Sequence, residues 1–227
     1  MNSRPTVATN PAILNPPAVP VADSIPRQGT TLGSANAPVK MDAWEDFQCP
    51  FCQAWTIQWE PHVVQDFVAG GVVQYQFHDF AFLGTGHSPD ESLDAAVAAQ
   101  CANDQGRFWP YHDWLYANQN PNGENQGWFT RAKLDAIALK VGLNQATFDT
   151  CLADPAKPTA VQAELSAGAT LGITGTPAIF VNGKLQTLTT YDSLAAEIRS
   201  LAPSTSPGAT ASPAATASAA PGGSGQP

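Results

Sequence analysis

Two cysteines separated by two residues carry the clearest chemical signal in this sequence. Cys49 and Cys52 lie in the stretch "EDFQCPFCQAW", with Pro50 and Phe51 between them. Cysteines at this spacing bind a structural metal, close a small disulfide loop or exchange electrons with other thiols. The elements on either side of the pair indicate which of these three chemistries applies.

A strand is predicted before the cysteines and a helix after them. "APVKMDAW" (37–44) alternates apolar and polar residues, which is typical of a strand. "CQAWTIQWEPHVVQDFVAG" carries apolar residues at helical spacing, and Pro61 is predicted to kink this helix because it lacks an N–H. "GVVQYQFHDFAF" (71–82) alternates again. The cysteines therefore fall at the N-terminus of the crossover helix in a βαβ unit.

This position predicts two unequal sulfurs. A thiolate at a helix N-terminus is stabilised by free backbone N–H groups and by the helix dipole, so the pKa of Cys49 should fall. Pro50 suits the first helical position because no N–H partner is needed there. Cys52 lies one turn further in and should be more buried. We predict that Cys49 is the nucleophile and Cys52 the resolving thiol.

Zinc binding and an inert structural disulfide are the two alternatives. A structural zinc site requires four ligands, often from two Cys-x-x-Cys pairs. The remaining cysteines, Cys101 and Cys151, are 50 positions apart. The four histidines show no zinc-finger spacing: His62, His78, His87 and His112. We therefore favour redox chemistry and predict no metal site.

The rest of the chain predicts a helical block followed by a hairpin. Residues 88 to about 171 contain four or five segments with helical periodicity, the first starting at Ser88 as N-cap with Pro89 behind it. "TPAIFVNGKLQTL" is typical of a hairpin because Asn182-Gly183 separates two β-rich runs. A last amphipathic helix is predicted over 191–202. The fold class is therefore α/β, with a helical insertion.

Both ends of the chain are poor in large apolar residues. Residues 1–36 are rich in proline, and residues 203–227 consist almost wholly of Ala, Pro, Ser, Thr and Gly. Such segments cannot bury enough apolar surface to offset the entropy of ordering. We predict a disordered linker over 1–36, a discontinuous domain over 37–83 and 172–202, a helical insertion domain over 84–171, and a low-complexity tail over 203–227.

Charge and hydropathy limit the partners and the compartment. The net charge is −9, from 10 basic and 19 acidic residues, which argues against a nucleic-acid partner. No apolar run approaches 18 residues, and the first residues lack the pattern of a signal peptide. The protein is then either cytosolic, or exported with its leader or N-terminal anchor outside this sequence. The tails and the even cysteine count favour an extracytoplasmic location, in the periplasm or cell envelope.

Two stretches together resemble the DsbA-like branch of the thioredoxin superfamily. They are "APVKMDAWEDFQCPFCQAW" and "GITGTPAIFVNGK". The resemblance implies a thioredoxin fold with an inserted helical domain, acting as a thiol–disulfide oxidoreductase without a cofactor. It also implies that Pro177 is a cis-proline beside the cysteines. Thr176, the residue before it, would offer backbone hydrogen bonds to an extended substrate.

The resemblance further implies partners. Substrates would be unfolded or reduced exported proteins, and a membrane quinone-linked partner would reoxidise the pair. We expect a monomeric dithiol oxidase. The rivals are an isomerase or reductase of the same fold, and a holdase that binds substrate without turnover. Aromatic side chains near the motif, other than Trp55, are candidates for lining a hydrophobic substrate groove.

Two positions depart from the pattern of the relatives. Many relatives carry a buried acid six positions before the first cysteine, where this chain has Ala43. A neighbouring carboxylate, a water or direct loss to solvent would then have to take the proton of the resolving thiol. Pro50 and Phe51 are the residues expected to tune the pair. Phe51 stands where the most oxidising relatives have histidine, so it should make the pair less oxidising.

Cys101 and Cys151 fall on the apolar faces of two predicted helices. Two free buried thiols are one alternative, because cysteine packs as a small apolar residue. A second redox pair is another, although neither cysteine has a partner at Cys-x-x-Cys spacing. We favour a structural disulfide between them, since an exported protein experiences oxidising conditions.

Overall fold

The computed structural model describes residues 14–202. In this range six strands form one mixed sheet, with spatial order β1-β2-β4-β3-β5-β6. The strands are β1 (Arg27–Gln28), β2 (Thr31–Leu32), β3 (Val39–Glu45), β4 (Val73–Asp79), β5 (Ala178–Val181) and β6 (Lys184–Leu185). The predicted tail at 203–227 lies outside the described residues.

The helices form two groups, one beside the sheet and one that lies, in the sequence, between β4 and β5. Beside the sheet lie α1 (Pro50–Gln58), α2 (Glu60–Val63), a π-helical turn (Val64–Val68) and α8 (Tyr191–Leu201). Between β4 and β5 come α3 (Glu91–Asp104), α4 (Phe108–Ala117), α5 (Arg131–Lys140), α6 (Gln145–Leu152) and α7 (Ala156–Thr170). No helix in the described range has the length and apolar character needed to span a bilayer.

The βαβ unit and the hairpin form as the sequence predicts. β3 and β4 are parallel, and the helix between them is interrupted at Trp59, immediately before the Glu60-Pro61 pair. β5 pairs antiparallel with β3 on one side and with β6 on the other. Asn182 and Gly183 form the tight turn with positive φ angles of 48° and 76°, a conformation that these two residue types tolerate well. The predicted thioredoxin fold with a helical insertion is confirmed.

The first insertion helix begins two residues later than Ser88 and Pro89 predict. Asp90 is the N-cap, because its side chain accepts a hydrogen bond from the Leu93 backbone N–H at 2.9 Å. The insertion packs closely on the sheet at Gly168 of α7. A Cβ atom there would lie 2.6 Å from the Phe80 ring, so the absence of a side chain allows the approach.

The prediction of a disordered linker over 1–36 is wrong from residue 14 onward. β2 extends the sheet by pairing antiparallel with β4, with Thr31 opposite Gln76. Leu32 is fully buried and Ile25 is nearly so. A few apolar side chains are enough here because the existing sheet edge supplies the backbone partners that an isolated segment would lack. Residues 1–13 lie outside the described range.

The segment before β1 also crosses the helical insertion. The Asn15 backbone N–H donates to the Asn118 side chain at 2.7 Å, and the Val21 N–H donates to Asp113 Oδ2 at 2.9 Å. These two bonds hold residues 14–24, which we call the N-terminal strap, across α4. The strap therefore covers the side of the molecule where α4 meets α1 and α2.

A disulfide joins α3 and α6 within the insertion. Cys101 and Cys151 are bonded to each other, across a sequence separation of 50. Cys101 is completely buried and Cys151 partly so. The bond links the first insertion helix to the fourth, so it closes most of the helical domain into one loop.

Candidate active site

Cys49 stands at the junction between the loop after β3 and the start of α1. It is the N-cap residue of α1, with Pro50 at the first helical position. Cys49 and Cys52 are both free thiols in this structure. Cys49 is 4% exposed and Cys52 is fully buried, whereas Phe51 between them is 72% exposed. The loop therefore presents Phe51 at the surface and keeps the inner sulfur away from solvent.

The second predicted motif meets the first at this point. The Thr176–Pro177 peptide bond is cis. The Cys49 thiol lies against it, and Sγ donates to the Thr176 carbonyl oxygen at 3.3 Å. The Thr176 hydroxyl is buried and has no hydrogen-bond partner among the described residues. Four predicted site residues, Cys49, Cys52, Thr176 and Pro177, are thus brought together although up to 128 positions separate them.

The two sulfurs have opposite electrostatic environments. The pKa of Cys49 is lowered to about 6, first by a hydrogen bond from the Cys52 thiol, then by the Thr176 side chain and the first backbone N–H groups of α1. Burial opposes this shift. The pKa of Cys52 is raised well above its usual value, mainly by burial, with the Cys49 bond and the charge of Glu45 adding to it. One thiol ionises readily and the other keeps its proton.

The helical insertion fixes the loop that carries the cysteines. Gln119, just after α4, donates to the backbone carbonyls of Phe47 and Cys49, both at 2.9 Å. The buried Asp46 carboxylate accepts from the Ser92 hydroxyl of α3 at 2.8 Å and from backbone N–H groups of the loop after β4. The inserted domain therefore holds the redox loop in place from both sides.

Comparison with known proteins decides the family. The sequence profile described as Thioredoxin matches residues 27–199. The chain is 31% identical over 160 residues to a Bacillus cereus protein named "probable disulfide bond formation protein D", covering 68% of this chain and 70% of that one. The chain belongs to the DsbA-like thiol–disulfide oxidoreductases of the thioredoxin superfamily.

Two further comparisons agree with this DsbA-like assignment. Disulfide bond formation protein D of Bacillus subtilis is 28% identical over 180 residues, covering 74% of each chain. The crystal structure of oxidised BdbD from Bacillus subtilis superimposes with a TM-score of 0.68 at 23% identity, covering 85% of this chain and 98% of that one. The second comparison supports the fold, and the first supports the enzyme family.

An apolar groove opens beside the cysteine pair of this DsbA-like enzyme. It has a volume of about 340 Å³ and runs from the exposed Phe51 to the cis-proline at Pro177. Trp55, Trp59 and Leu188 line it. Trp59 fits the expectation of an aromatic groove, but Trp55 lines it too, contrary to the prediction that excluded that residue. Trp55 is 3% exposed and still belongs to the groove lining.

Glu45 is a candidate for the role of the acid that is missing at Ala43. Both residues are buried, and they lie on the same face of β3 because side chains of a strand alternate. The Glu45 carboxylate contributes to the raised pKa of Cys52, so its charge acts on the resolving thiol. Among the options left open by the sequence, the structure offers a candidate for the neighbouring carboxylate. The same alternation leaves Asp42 pointing away, toward His78.

Behind Glu45 lies a polar cluster that the sequence did not reveal. Glu60, Tyr75, His112 and Tyr116 are all buried and surround the Glu45 side chain. Oxygen and nitrogen atoms of Glu45, Glu60 and His112 come within 4.8 Å of one another, close enough in principle for a metal ion. The Tyr75 hydroxyl already contacts both carboxylates, however, so the cluster is a hydrogen-bonded network as it stands.

The lowered pKa of Cys49 predicts its reactivity. Alkylation of the reduced protein by iodoacetamide should rise with pH through a midpoint of about 6, because only the thiolate reacts. At pH 7 roughly nine-tenths of Cys49 would be thiolate. Cys52 should stay unmodified over the same range. Peptide mass spectrometry after timed alkylation measures both sites, and a midpoint near 9 for Cys49 would contradict the prediction.

Proposed function

We propose that this protein is an extracytoplasmic dithiol oxidase that introduces disulfides into reduced exported proteins. The observation that carries the proposal is the contrast between Cys49, whose pKa is lowered, and Cys52, which is buried and keeps its proton. A stabilised thiolate favours the reduced form of the pair, so the oxidised form is the more ready to accept electrons. The names of the Bacillus relatives, disulfide bond formation protein D, agree with this direction.

The proposed cycle begins with the Cys49–Cys52 disulfide. A substrate thiolate attacks the Cys49 sulfur, and Cys52 leaves as a thiolate that must take up a proton. A second substrate thiolate then attacks the substrate sulfur of the mixed disulfide, which releases Cys49 as a thiolate. The substrate gains one disulfide, and the enzyme gains the two electrons. A membrane quinone-linked partner would then reoxidise the pair.

The neighbourhood of Cys49 suits an extended substrate. The groove next to the pair offers apolar surface from Trp59 and Leu188, and the backbone at Thr176 lies against the reacting sulfur. A substrate strand laid along Thr176 would place its cysteine at Cys49. The free Thr176 hydroxyl can donate to the Cys49 thiolate once the thiol proton has left.

The Cys101–Cys151 disulfide supports an extracytoplasmic location. Disulfides that serve structure persist in oxidising compartments and are uncommon in the cytosol. An N-terminal anchor ahead of the strap and a monomeric state remain parts of the proposal. Fractionation of the producing cells, followed by detection of the protein in the envelope or in the cytosol, tests the location.

The reduction potential of the Cys49–Cys52 pair tests the direction of catalysis. The pKa of about 6 lies between that of the thioredoxin nucleophile, about 7, and that of DsbA, about 3.5. We therefore expect a potential between about −270 mV and about −120 mV, the values for thioredoxin and DsbA. Equilibration with glutathione buffers measures it. A potential at or below that of thioredoxin would identify a reductase and overturn the oxidase proposal.

Phe51→His is the matched variant for this measurement. The side chain at 51 is 72% exposed, so the exchange should not disturb packing. An imidazolium beside Cys49 would stabilise the thiolate further and move the potential toward that of DsbA. An unchanged potential would show that the helix terminus and Thr176, rather than the residue between the cysteines, set the redox properties.

A further inference from the structure

The Tyr75 hydroxyl lies between two buried carboxylates. Its oxygen is 3.2 Å from Glu45 Oε1 and 3.1 Å from Glu60 Oε2. It also accepts a hydrogen bond from the Trp55 indole N–H at 3.0 Å. All four side chains are essentially shielded from solvent. Because solvent water does not reach these groups, their hydrogen-bond donors and acceptors have to pair with one another.

The hydrogen bonds around the Tyr75 hydroxyl require that one of the two carboxyl groups carries a proton. A phenol hydroxyl has one hydrogen, which can point to Glu45 or to Glu60 but not to both. The other carboxyl can make a hydrogen bond at 3.1–3.2 Å only if it carries a proton and donates it to the tyrosine oxygen. One proton is thus shared across the Glu45–Tyr75–Glu60 unit. Moving it from Glu45 to Glu60 requires only that the tyrosine hydrogen passes to Glu60 while the tyrosine oxygen receives the proton of Glu45.

Tyr116 does not offer an equivalent route. Its hydroxyl donates to Glu45 Oε2 at 2.9 Å. The other group near its oxygen is the Asp46 backbone carbonyl at 3.4 Å, which neither gives up nor takes a proton. Tyr116 therefore orients the Glu45 carboxylate, whereas Tyr75 connects that carboxylate to a second titratable group.

From Glu60 the network continues to His112. The two side chains approach to 4.0 Å, between Glu60 Oε2 and His112 Nε2. His112 Nδ1 is hydrogen-bonded to Asp113 Oδ1 at 3.0 Å, and Nε2 is the ring nitrogen on the side of Glu60. This nitrogen is buried and has no hydrogen-bond partner among the described residues. A shift of about one ångström would bring it within hydrogen-bond range, about 2.6–3.2 Å.

Asp113 brings the network to the surface. It is 6% exposed, and it lines a cavity of about 200 Å³ together with residues 16–19 of the N-terminal strap. Its second oxygen accepts the Val21 N–H of the strap. A proton that reaches Asp113 can therefore exchange with water in this cavity, which shares no lining residue with the groove beside Cys49.

We propose that Glu45, Tyr75, Glu60, His112 and Asp113 form a proton relay between the Cys52 thiol and the cavity under the N-terminal strap. The inference rests on the proposed redox function and deepens it. When the disulfide is cleaved by substrate, the relay delivers a proton to the Cys52 thiolate. When the pair is reoxidised, Cys52 gives its proton to Glu45, attacks the Cys49 sulfur of the mixed disulfide and expels the partner's thiolate. One proton then leaves through Asp113.

The charges around the relay fit this role. Burial is the main cause that raises the pKa of Glu45 to about 8, and the nearby Glu60 raises it further, while His112 and both tyrosine hydroxyls lower it. Burial and Asp113 raise the pKa of Glu60 well above its usual value. A glutamic acid with a pKa of about 8, such as Glu45, can both give and accept a proton near neutral pH. Asp46 is the other acid next to Glu45, and it is engaged by Ser92 and backbone N–H groups.

Resolution of a mixed disulfide isolates the step that needs the relay. Reduced full-length protein is mixed with excess oxidised glutathione, quenched in acid and analysed by mass spectrometry. Capture by Cys49 and release of glutathione by Cys52 are then timed separately between pH 5 and 9. We expect Tyr75→Phe to slow the release of glutathione about tenfold at pH 7 and to leave capture by Cys49 unchanged. This loss is smaller than the 10²–10⁴-fold rate enhancement typical of general acid–base catalysis, because only part of the proton transfer is removed. Release should also become steeply pH-dependent as hydroxide replaces the relay.

Glu60→Gln provides a second test, since it keeps the shape and the hydrogen bond but cannot carry the proton. This variant should slow the release of glutathione as Tyr75→Phe does. If Tyr75→Phe does not fold, the release rate of Glu60→Gln is the test of the relay. Tyr111→Phe is the control, because it removes another buried hydroxyl, bonded to the Leu134 carbonyl, outside the network. Normal release in the folded relay variants, or equal slowing by Tyr111→Phe, overturns the relay. Failure of the wild type to form the mixed disulfide would instead overturn the redox function.

Discussion

Cys49→Ser is expected to abolish disulfide formation in a dithiol peptide, leaving the uncatalysed rate. Serine has no redox chemistry, and its hydroxyl would not ionise at the start of α1, where the Cys49 thiol does. Cys52 cannot take over, because it is fully buried and its pKa is raised. A peptide with two cysteines and a fluorophore–quencher pair measures the rate directly. Peptide binding in the apolar groove should survive the exchange.

Cys52→Ser is the matched variant. It keeps the nucleophile and loses the resolving thiol, so a reduced protein treated with oxidised glutathione should stop at a stable Cys49 mixed disulfide. The pair of variants therefore separates attack from resolution. If the wild type formed no disulfide above the uncatalysed rate and Cys49→Ser left peptide binding intact, the protein would act as a substrate-binding module, and the assigned chemistry would be wrong for it.

The elements that carry the redox pair could be predicted from local sequence. Strand alternation before the cysteines, the proline at the first helical position and the Asn182-Gly183 turn are each fixed by residues that are neighbours in the chain. The meeting of Cys49 with Thr176 is not local, and it was predicted only through the resemblance to a known family. The strands, helix start and turn can thus be predicted from local sequence patterns, whereas the assembled site depends on how the fold brings distant parts of the chain together.

The features that the sequence did not predict depend on distant partners. The N-terminal strap contains three prolines and few large apolar residues, yet Asn15 and Val21 find hydrogen-bond partners at the end of α4 and on it. Glu45 was considered only as a flanking carboxylate, although alternation along β3 places it on the same face as Ala43. Following that alternation two residues further would have identified it. No local pattern could have found Glu60 and His112 beside it, because three separate elements bring them together.

The helical insertion does more than cover the sheet. Gln119 holds the backbone of the redox loop, and Tyr116 and His112 of α4 supply one wall of the buried network behind the cysteines. A loosening of the insertion would therefore disturb the position of Cys49 and the environment of Cys52 together. This dependence makes the disulfide within the insertion relevant to catalysis, although neither of its sulfurs belongs to the redox pair.

Replacing Cys101 and Cys151 together by alanine is expected to cost about 4 kcal/mol of unfolding free energy. The bond spans 50 residues, and the chain-entropy estimate for a loop of this length gives that magnitude. For a domain of this size each kcal/mol lowers the melting temperature by about 2–4 °C, so the midpoint should fall by about 8–16 °C. Urea and thermal unfolding followed by circular dichroism measure both quantities, with the Cys49 and Cys52 thiols kept reduced in both proteins.

The double variant Cys49→Ala, Cys52→Ala is the control, because it removes two buried sulfurs but leaves the α3–α6 link intact. It should lose far less stability than the variant without the link. A loss below about 1 kcal/mol for the Cys101 and Cys151 pair would show that helix packing alone holds the insertion. If the loss is as large as expected, warming should also weaken the capture of oxidised glutathione by Cys49 in the variant without Cys101 and Cys151. This should happen at the temperature at which its insertion melts, which is lower than in the wild type.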